Sequence, residues 1–256
     1  METQKLLRRL EEIGQSLSKR KSALALIALG SVGENLERLD AYSDLDFFVI
    51  VAGGSKPEYL ENLRWLTDIY PVAYSFQNTP DGYKLLYEDG VFCEFAVFDE
   101  AELQEAIFSP GRIVWKAYGV EDAIRIPKRK NAVPKPHPEE WLVGEALTNI
   151  YVGLSRAKRG EKLSAMRFIQ NYAVDRILEL SERISPAGSE LRDEFNLERR
   201  YEQQYPQMAL KLPAFLQGYE HNIESAMAIL AFLEQHFEVN PRMKREILKL
   251  CDSEKD

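Results

Sequence analysis

Leu29-Gly30-Ser31-Val32-Gly33-Glu34-Asn35-Leu36-Glu37-Arg38-Leu39-Asp40-Ala41-Tyr42-Ser43-Asp44-Leu45-Asp46-Phe47-Phe48-Val49-Ile50-Val51 is the stretch on which the reading of this chain turns. A Gly-Ser pair is followed by twelve residues and then by two aspartates flanking one leucine. The run Phe47–Val51 has the length and composition of a buried strand. Side chains two apart on a strand share a face, so Asp44 and Asp46 project together. Two adjacent carboxylates repel unless a cation sits between them, and Mg²⁺ is the hard, oxygen-seeking ion that suits such a pair. A solvated turn edge is the plainer explanation of an Asp-x-Asp, and the upstream residues weigh against it. Ala23–Leu29 reads as another strand, ending on Gly30-Ser31, and Val32–Leu39 has helix-compatible composition. Glycine at a strand-to-helix turn lets a phosphate approach the backbone, and a helix N-terminus favours negative charge. Ser31 adds a hydroxyl and an N–H.

A phosphate cradle (Gly30, Ser31) beside metal carboxylates (Asp44, Asp46) implies metal-assisted nucleotidyl transfer. A third acid stands out further on. Val91-Phe92-Cys93-Glu94-Phe95-Ala96-Val97-Phe98 is an apolar strand with a single charge. Burying an unpaired carboxylate is costly, so Glu94 is expected either at a half-exposed edge, paired with a lysine, or in the active site. In the last case it completes the metal set or takes the proton of the attacking hydroxyl, and the residues leave both roles open.

The remainder of the 256-residue chain bounds these ideas. Hydrophobic residues make up 45% and charged residues 29%, the composition of an ordinary soluble globular protein. No apolar run reaches the ~20 residues that a bilayer span needs, and the charged N-terminus lacks a secretory core, so a cytoplasmic location is expected. Cys93 and Cys251 are the two cysteines, and His137, His221 and His236 lack ligand spacing, which argues against disulfides and structural zinc. A net charge of −8 disfavours an extended nucleic-acid surface but leaves room for a small nucleotide.

In order, the chain reads as an amphipathic helix over 3–20, the two strands above, and a helix from Pro57 through Thr67. Strands then follow near 71–76, 82–87, 91–98 and 112–117, with a tight turn at Asp89-Gly90 and a helix over 99–106. Residues 126–138 contain four prolines and mark a boundary between domains 1–134 and 135–256; the Lys128-Arg129-Lys130 run within them reads as solvated. Beyond it the pattern is helical: 139–159, 162–184, 191–205, 212–237 and 241–250, implying a bundle. The fold class expected is α+β, a mixed sheet with flanking helices followed by an all-α domain. The densest basic cluster of the helical half surrounds Arg159 and Lys162. Helix capping explains it, and a contact to nucleotide phosphates is the functional alternative.

Leu29-Gly30-Ser31, the twelve-residue spacer and Asp44-Leu45-Asp46-Phe47 together resemble the signature of the polymerase-beta-type nucleotidyltransferase superfamily. Phe92-Cys93-Glu94-Phe95 is similar to its third-acid element. A small catalytic domain followed by a helical bundle resembles the lincosamide and aminoglycoside nucleotidyltransferases. The resemblance implies Mg²⁺ on Asp44, Asp46 and Glu94, an NTP co-substrate (ATP foremost), a small hydroxyl-bearing acceptor and a homodimer. Val32-Gly33-Glu34-Asn35 departs from the small-x-Gly and arginine pattern of many members, so the acceptor does not carry over. A protein side chain or tRNA end as acceptor, and a regulatory nucleotide-binding module, are the competing readings.

Overall fold

Alternating apolar residues build one six-stranded sheet from β1 (Ala23–Ala28), β2 (Leu45–Val51), β3 (Val72–Thr79), β4 (Gly82–Tyr87), β5 (Phe92–Asp99) and β6 (Arg112–Lys116). The computed structural model describes residues 2–129, 136–185 and 197–252. Strand order is β3-β4-β5-β2-β1-β6; β2 and β5 are parallel and the other neighbours antiparallel. The parallel pair brings together the two strands that carry the acids.

The period of two sorts the faces. Leu45, Phe47 and Val49 of β2 and Cys93, Phe95 and Val97 of β5 are buried against helix α1 (Glu2–Leu17), whose Leu6, Leu10, Ile13 and Leu17 supply the facing stripe. Tyr59 and Trp65 complete this core from the short helices α2 (Lys56–Leu60) and α3 (Arg64–Thr67). Each such side chain contributes roughly 1.5–3 kcal/mol by leaving water. The single helix expected from Pro57 to Thr67 is thus two. Asn62 accepts from the Arg64 N–H, and the Tyr59 carbonyl is taken by the Trp65 indole at 3.0 Å, which ends one turn and starts the next. On the opposite face, Phe48 packs edge-on against Phe98 and Phe108, beside α4 (Glu100–Glu105), which Asp99 and Glu102 close with a capping box.

Two compact units divide the chain, Met1–Val133 and Pro134–Asp256. Residues 130–135, the middle of the proline-rich boundary expected from sequence, lie outside the described residues, as do 186–196. The described residues of the second unit form helices joined by turns, with no strand among them. α5 (Glu139–Lys158), α6 (Lys162–Met166), α7 (Val174–Ile184), α8 (Tyr201–Gln204), α9 (Pro206–Ala209), α10 (Leu212–Phe215), α11 (Asn222–His236) and α12 (Pro241–Asp252) pack around Ile150, Leu154, Ile177, Ile229, Leu233 and Ile247. The architecture is α+β, as expected.

Three helices of this unit differ from expectation. The helix over 162–184 passes through a π-helical stretch, Arg167–Ala173, between α6 and α7. The helix over 212–237 is cut into α10 and α11. Gly218 takes φ +92°, which glycine adopts without strain, and the buried Gln170 amide bonds both its N–H (2.8 Å) and its carbonyl (2.7 Å). Of the helix expected over 191–205, residues 191–196 are not described and the remainder contains α8 alone.

Candidate active site

The Gly-Ser turn leaves β1 and is strapped to the start of β2: Leu29 N–H donates to the Asp46 carbonyl at 2.8 Å. Gly30–Val32 forms one 3-10 turn and Leu36–Arg38 another, so the helix expected after the Gly-Ser pair is absent. Asn35 caps the second turn by accepting from Glu37 N–H, and the Asp40 carboxylate turns the chain by accepting from Tyr42 N–H at 2.8 Å. A three-residue turn has no helix dipole to offer a phosphate, so the cradle rests on close approach alone. Gly30 supplies that approach. Its φ is +55°, and a Cβ there would lie 2.8 Å from Asp46 Oδ2. Arg112, at the start of β6, fixes the turn by donating from Nε and Nη2 to the Val32 carbonyl at 3.1 and 2.9 Å.

Register places the acids. Asp46 lies opposite Glu94, and Leu45 opposite Cys93, across the parallel β2–β5 pair. Asp44, two residues before Asp46, is half-buried as Asp46 is. Their neighbour Cys93 points the other way into the core. Burial pushes its thiol far up from the usual range, and the charges of Asp44 and Asp46 add to this. Gly30, Asp46, Glu94, Asn78, Thr79, Asp81 and the rings of Phe48 and Phe98 line an open cleft of about 460 Å³. Asp44 and Ser31 stand beside this group on the same connecting segments, outside the lining.

Glu94 does meet a lysine, the plain explanation that its sequence context allowed. Lys84 Nζ is 3.0 Å from Oε2, and Asn78 Nδ2 donates to Oε1 at 3.2 Å. Neither partner was singled out from sequence. Lys84 was within reach of it, because a turn centred on Asp89 pairs residues whose numbers sum alike, and Lys84 then falls opposite Glu94. Asn78 gave no such signal: it sits at a β-bulge of β3, between the pairings of Gln77 and Thr79, which re-aims its side chain. Its Oδ1 is buried without a hydrogen-bond partner.

Arg159 and Lys162 belong to the helical unit, where each faces an acid. Arg159 Nη1 lies 3.8 Å from Glu161, which Arg156 also binds at 2.8 Å, and Lys162 pairs with Glu220. Gly160, Ser164, Arg167 and Tyr219 surround the same corner.

The donor set suits a hard divalent cation in part. Asp46 lies on β2 and Asp44 just ahead of that strand, in irregular backbone, so the shared strand face expected of the pair is not formed; Mg²⁺ is commonly held by one or two carboxylates with substrate phosphates and water filling the other positions. Among the described residues no group of three or more His, Cys, Asp and Glu is gathered as a metal cage. Of the expected trio Asp46 and Glu94 line the cleft, Glu94 with Lys84 and Asn78 as its partners, and Asp44 is the member outside the lining.

No protein-family model and no curated protein sequence matches the chain. Similar solved structures include an aminoglycoside 6-adenyltransferase from Bacillus subtilis (TM-score 0.37, 12% identity, 99% of this chain and 100% of that one). A nucleotidyltransferase-like protein from Exiguobacterium sibiricum is also similar (TM-score 0.35, 13% identity, 90% of this chain and 73% of that one). So is the Thermotoga maritima CCA-adding enzyme complexed with tRNA (TM-score 0.35, 10% identity, 97% of this chain and 72% of that one). Likenesses this distant carry no residue role and no substrate to this chain.

Proposed function

We propose that this chain is a nucleotidyltransferase that moves a nucleoside monophosphate, AMP foremost, from an NTP to a hydroxyl of a small acceptor. The observation that carries the reading is the juxtaposition of Gly30, Asp46 and Glu94 at one cleft, with Asp44 two residues ahead of Asp46. In this reading 1–134 is the catalytic domain and 135–256 the helical domain, and the homodimer implied by the resemblance is part of it.

Asp44 and Asp46 would hold the divalent cation, which when bound would supply charge neutralisation for the phosphates. Gly30, having no side chain, leaves the backbone open to the β- and γ-phosphates, and Ser31 orients them by its hydroxyl. The acceptor oxygen bonds to the α-phosphorus, the bond from that phosphorus to the bridging oxygen breaks in line, and pyrophosphate departs. Glu94 takes the acceptor proton, or it would join the metal set and leave that proton to solvent water. Arg159 and Lys162 serve the leaving pyrophosphate only by giving up Glu161 and Glu220, which makes capping and surface pairing the stronger account of both.

The test is incubation of the purified protein with Mg²⁺, each α-labelled NTP, and a panel of lincosamides, aminoglycosides and cell extract. Label on a small molecule supports the proposal. Label on protein redirects the acceptor, and nucleotide binding without turnover for any NTP overturns catalysis in favour of a regulatory module.

A further inference from the structure

Sheets have two edges, and this one treats them differently. At one end β6 is five residues long and carries Arg112 and Lys116 at its termini, a charged edge of the kind that resists adventitious pairing. At the other end β3, Val72-Ala73-Tyr74-Ser75-Phe76-Gln77-Asn78-Thr79, bears no charge at all. Among the described residues it pairs with β4 on one side only. Its middle is exposed on both faces, and Tyr74 and Phe76 are 56% and 43% exposed, although large aromatic rings usually end up covered. The two rings lie on the same face, 5.8 Å apart. An unpaired edge of this composition presents backbone N–H and C=O groups that only another extended strand satisfies in a row.

We infer that β3 is the dimerisation strand of this protein, pairing antiparallel with β3 of a second copy to make one continuous sheet. The inference locates the homodimer of the preceding reading and rests on none of its chemistry. A second copy is the occupant for three reasons. A two-fold axis normal to the sheet keeps each face on its own side, so it must pass through a residue. With the axis at Ser75, Tyr74 of each copy comes opposite Phe76 of the other, giving two aromatic cross-strand pairs of the kind that stabilise sheets. The strand is uncharged, so it meets its own copy without charge repulsion although the chain carries a net charge of −8. Finally, Pro71 and Pro80 bracket the strand, and bulges at both ends leave Tyr74–Gln77 as the regular run. A bracketed edge closes in a pair, and with β6 charged at the far end no head-to-tail fibre follows.

The experiment measures mass by light scattering at several concentrations, for the wild type and for Ser75→Lys and Phe76→Lys, with circular dichroism to check folding. A second arm oxidises Ser75→Cys in a Cys251→Ser background; Cys93 is buried. The expected result is a wild-type mass of twice 29.5 kDa, a fall to the single mass in the folded lysine variants, and disulfide-linked dimer with Ser75→Cys. A wild-type monomer at all concentrations overturns both this inference and the homodimer. A dimer that survives both lysine variants and fails to cross-link at residue 75 overturns the β3 interface while leaving the homodimer standing. Neither result touches nucleotidyl transfer, which is read separately.

Discussion

At the scale of single residues the structure separates groups that sequence treated alike. Asp46 is set against Gly30 and in register with Glu94. Replacing it by asparagine keeps the volume and removes the charge. Asp46→Asn is expected to cut turnover by roughly 10²-fold or more, the size of other losses of focused electrostatic stabilisation. Its thermal midpoint should stay at the wild-type value; near-normal turnover by folded Asp46→Asn would refute the assignment. Gly30→Ala tests the approach rather than the charge. A left-handed conformation costs a non-glycine residue about 1–2 kcal/mol, and the added carbon displaces the Asp46 carboxylate. Urea unfolding should register that loss, and nucleotide affinity should fall with it. If Gly30→Ala binds and turns over nucleotide as the wild type does, the cradle lies elsewhere.

At the scale of elements, two polar clips hold the segments that sequence patterns place only loosely. Lys56, at the start of α2, binds Asp81 in the β3–β4 turn at 2.5 Å and Glu102 on α4 at 2.7 Å. Burial alone would lower its pKa, but the hydrogen bonds and charges of Asp81 and Glu102 outweigh it and raise the value above 10.5. The clip is therefore fully present below the unfolded pKa of 10.5 and is lost as pH rises through the higher folded one. Wild type should lose stability across that window and Lys56→Met should lose less, as chemical denaturation over about pH 9 to 12 would record. Gln170 is the second clip. Gln170→Ala removes both side-chain hydrogen bonds to Gly218 and should cost on the order of 1–2 kcal/mol. Melting of the variant at the wild-type temperature would show that water replaces the amide.

Strands and the α1 stripe were legible because burial writes a period into the sequence, and the Phe47–Val51 and Phe95–Phe98 runs need little else to be read. Turns were less legible, because they depend on single side chains. Nothing periodic says that Asn35 and Asp40 will hold 3-10 and Asx turns where helix-compatible residues stand. The helix over 212–237 was over-read for the same reason: Phe215 and Ile223 fall near helical spacing, and Gly218 between them is the break. Of the site, Gly30, Asp46 and Glu94 were visible in sequence and meet at the cleft, whereas Asn78 was hidden because a bulge, not a pattern, aims it.

At the scale of the whole molecule the charge balance constrains the acceptor. No helix among the described residues is long and apolar enough to cross a membrane. With a net charge of −8 the chain offers little for the counterion release that drives binding to a polyanion. Labelled tRNA should not be retained by the protein at physiological salt in a gel-shift titration. Retention with the steep salt dependence of many phosphate contacts would favour a tRNA end as the acceptor over a small molecule.

The parallel pairing of β2 with β5 has one more consequence. Asp46 and Glu94 alternate along their strands with Leu45, Phe47, Cys93 and Phe95, which form the core. A slip of one residue in either strand would drive a carboxylate into that core and expel a large apolar group. The misaligned chain would pay in stability before its missing activity was ever noticed. Folding thus proofreads the active site: the hydrophobic effect, indifferent to chemistry, rejects the one-residue slips that would put the two acids on opposite faces.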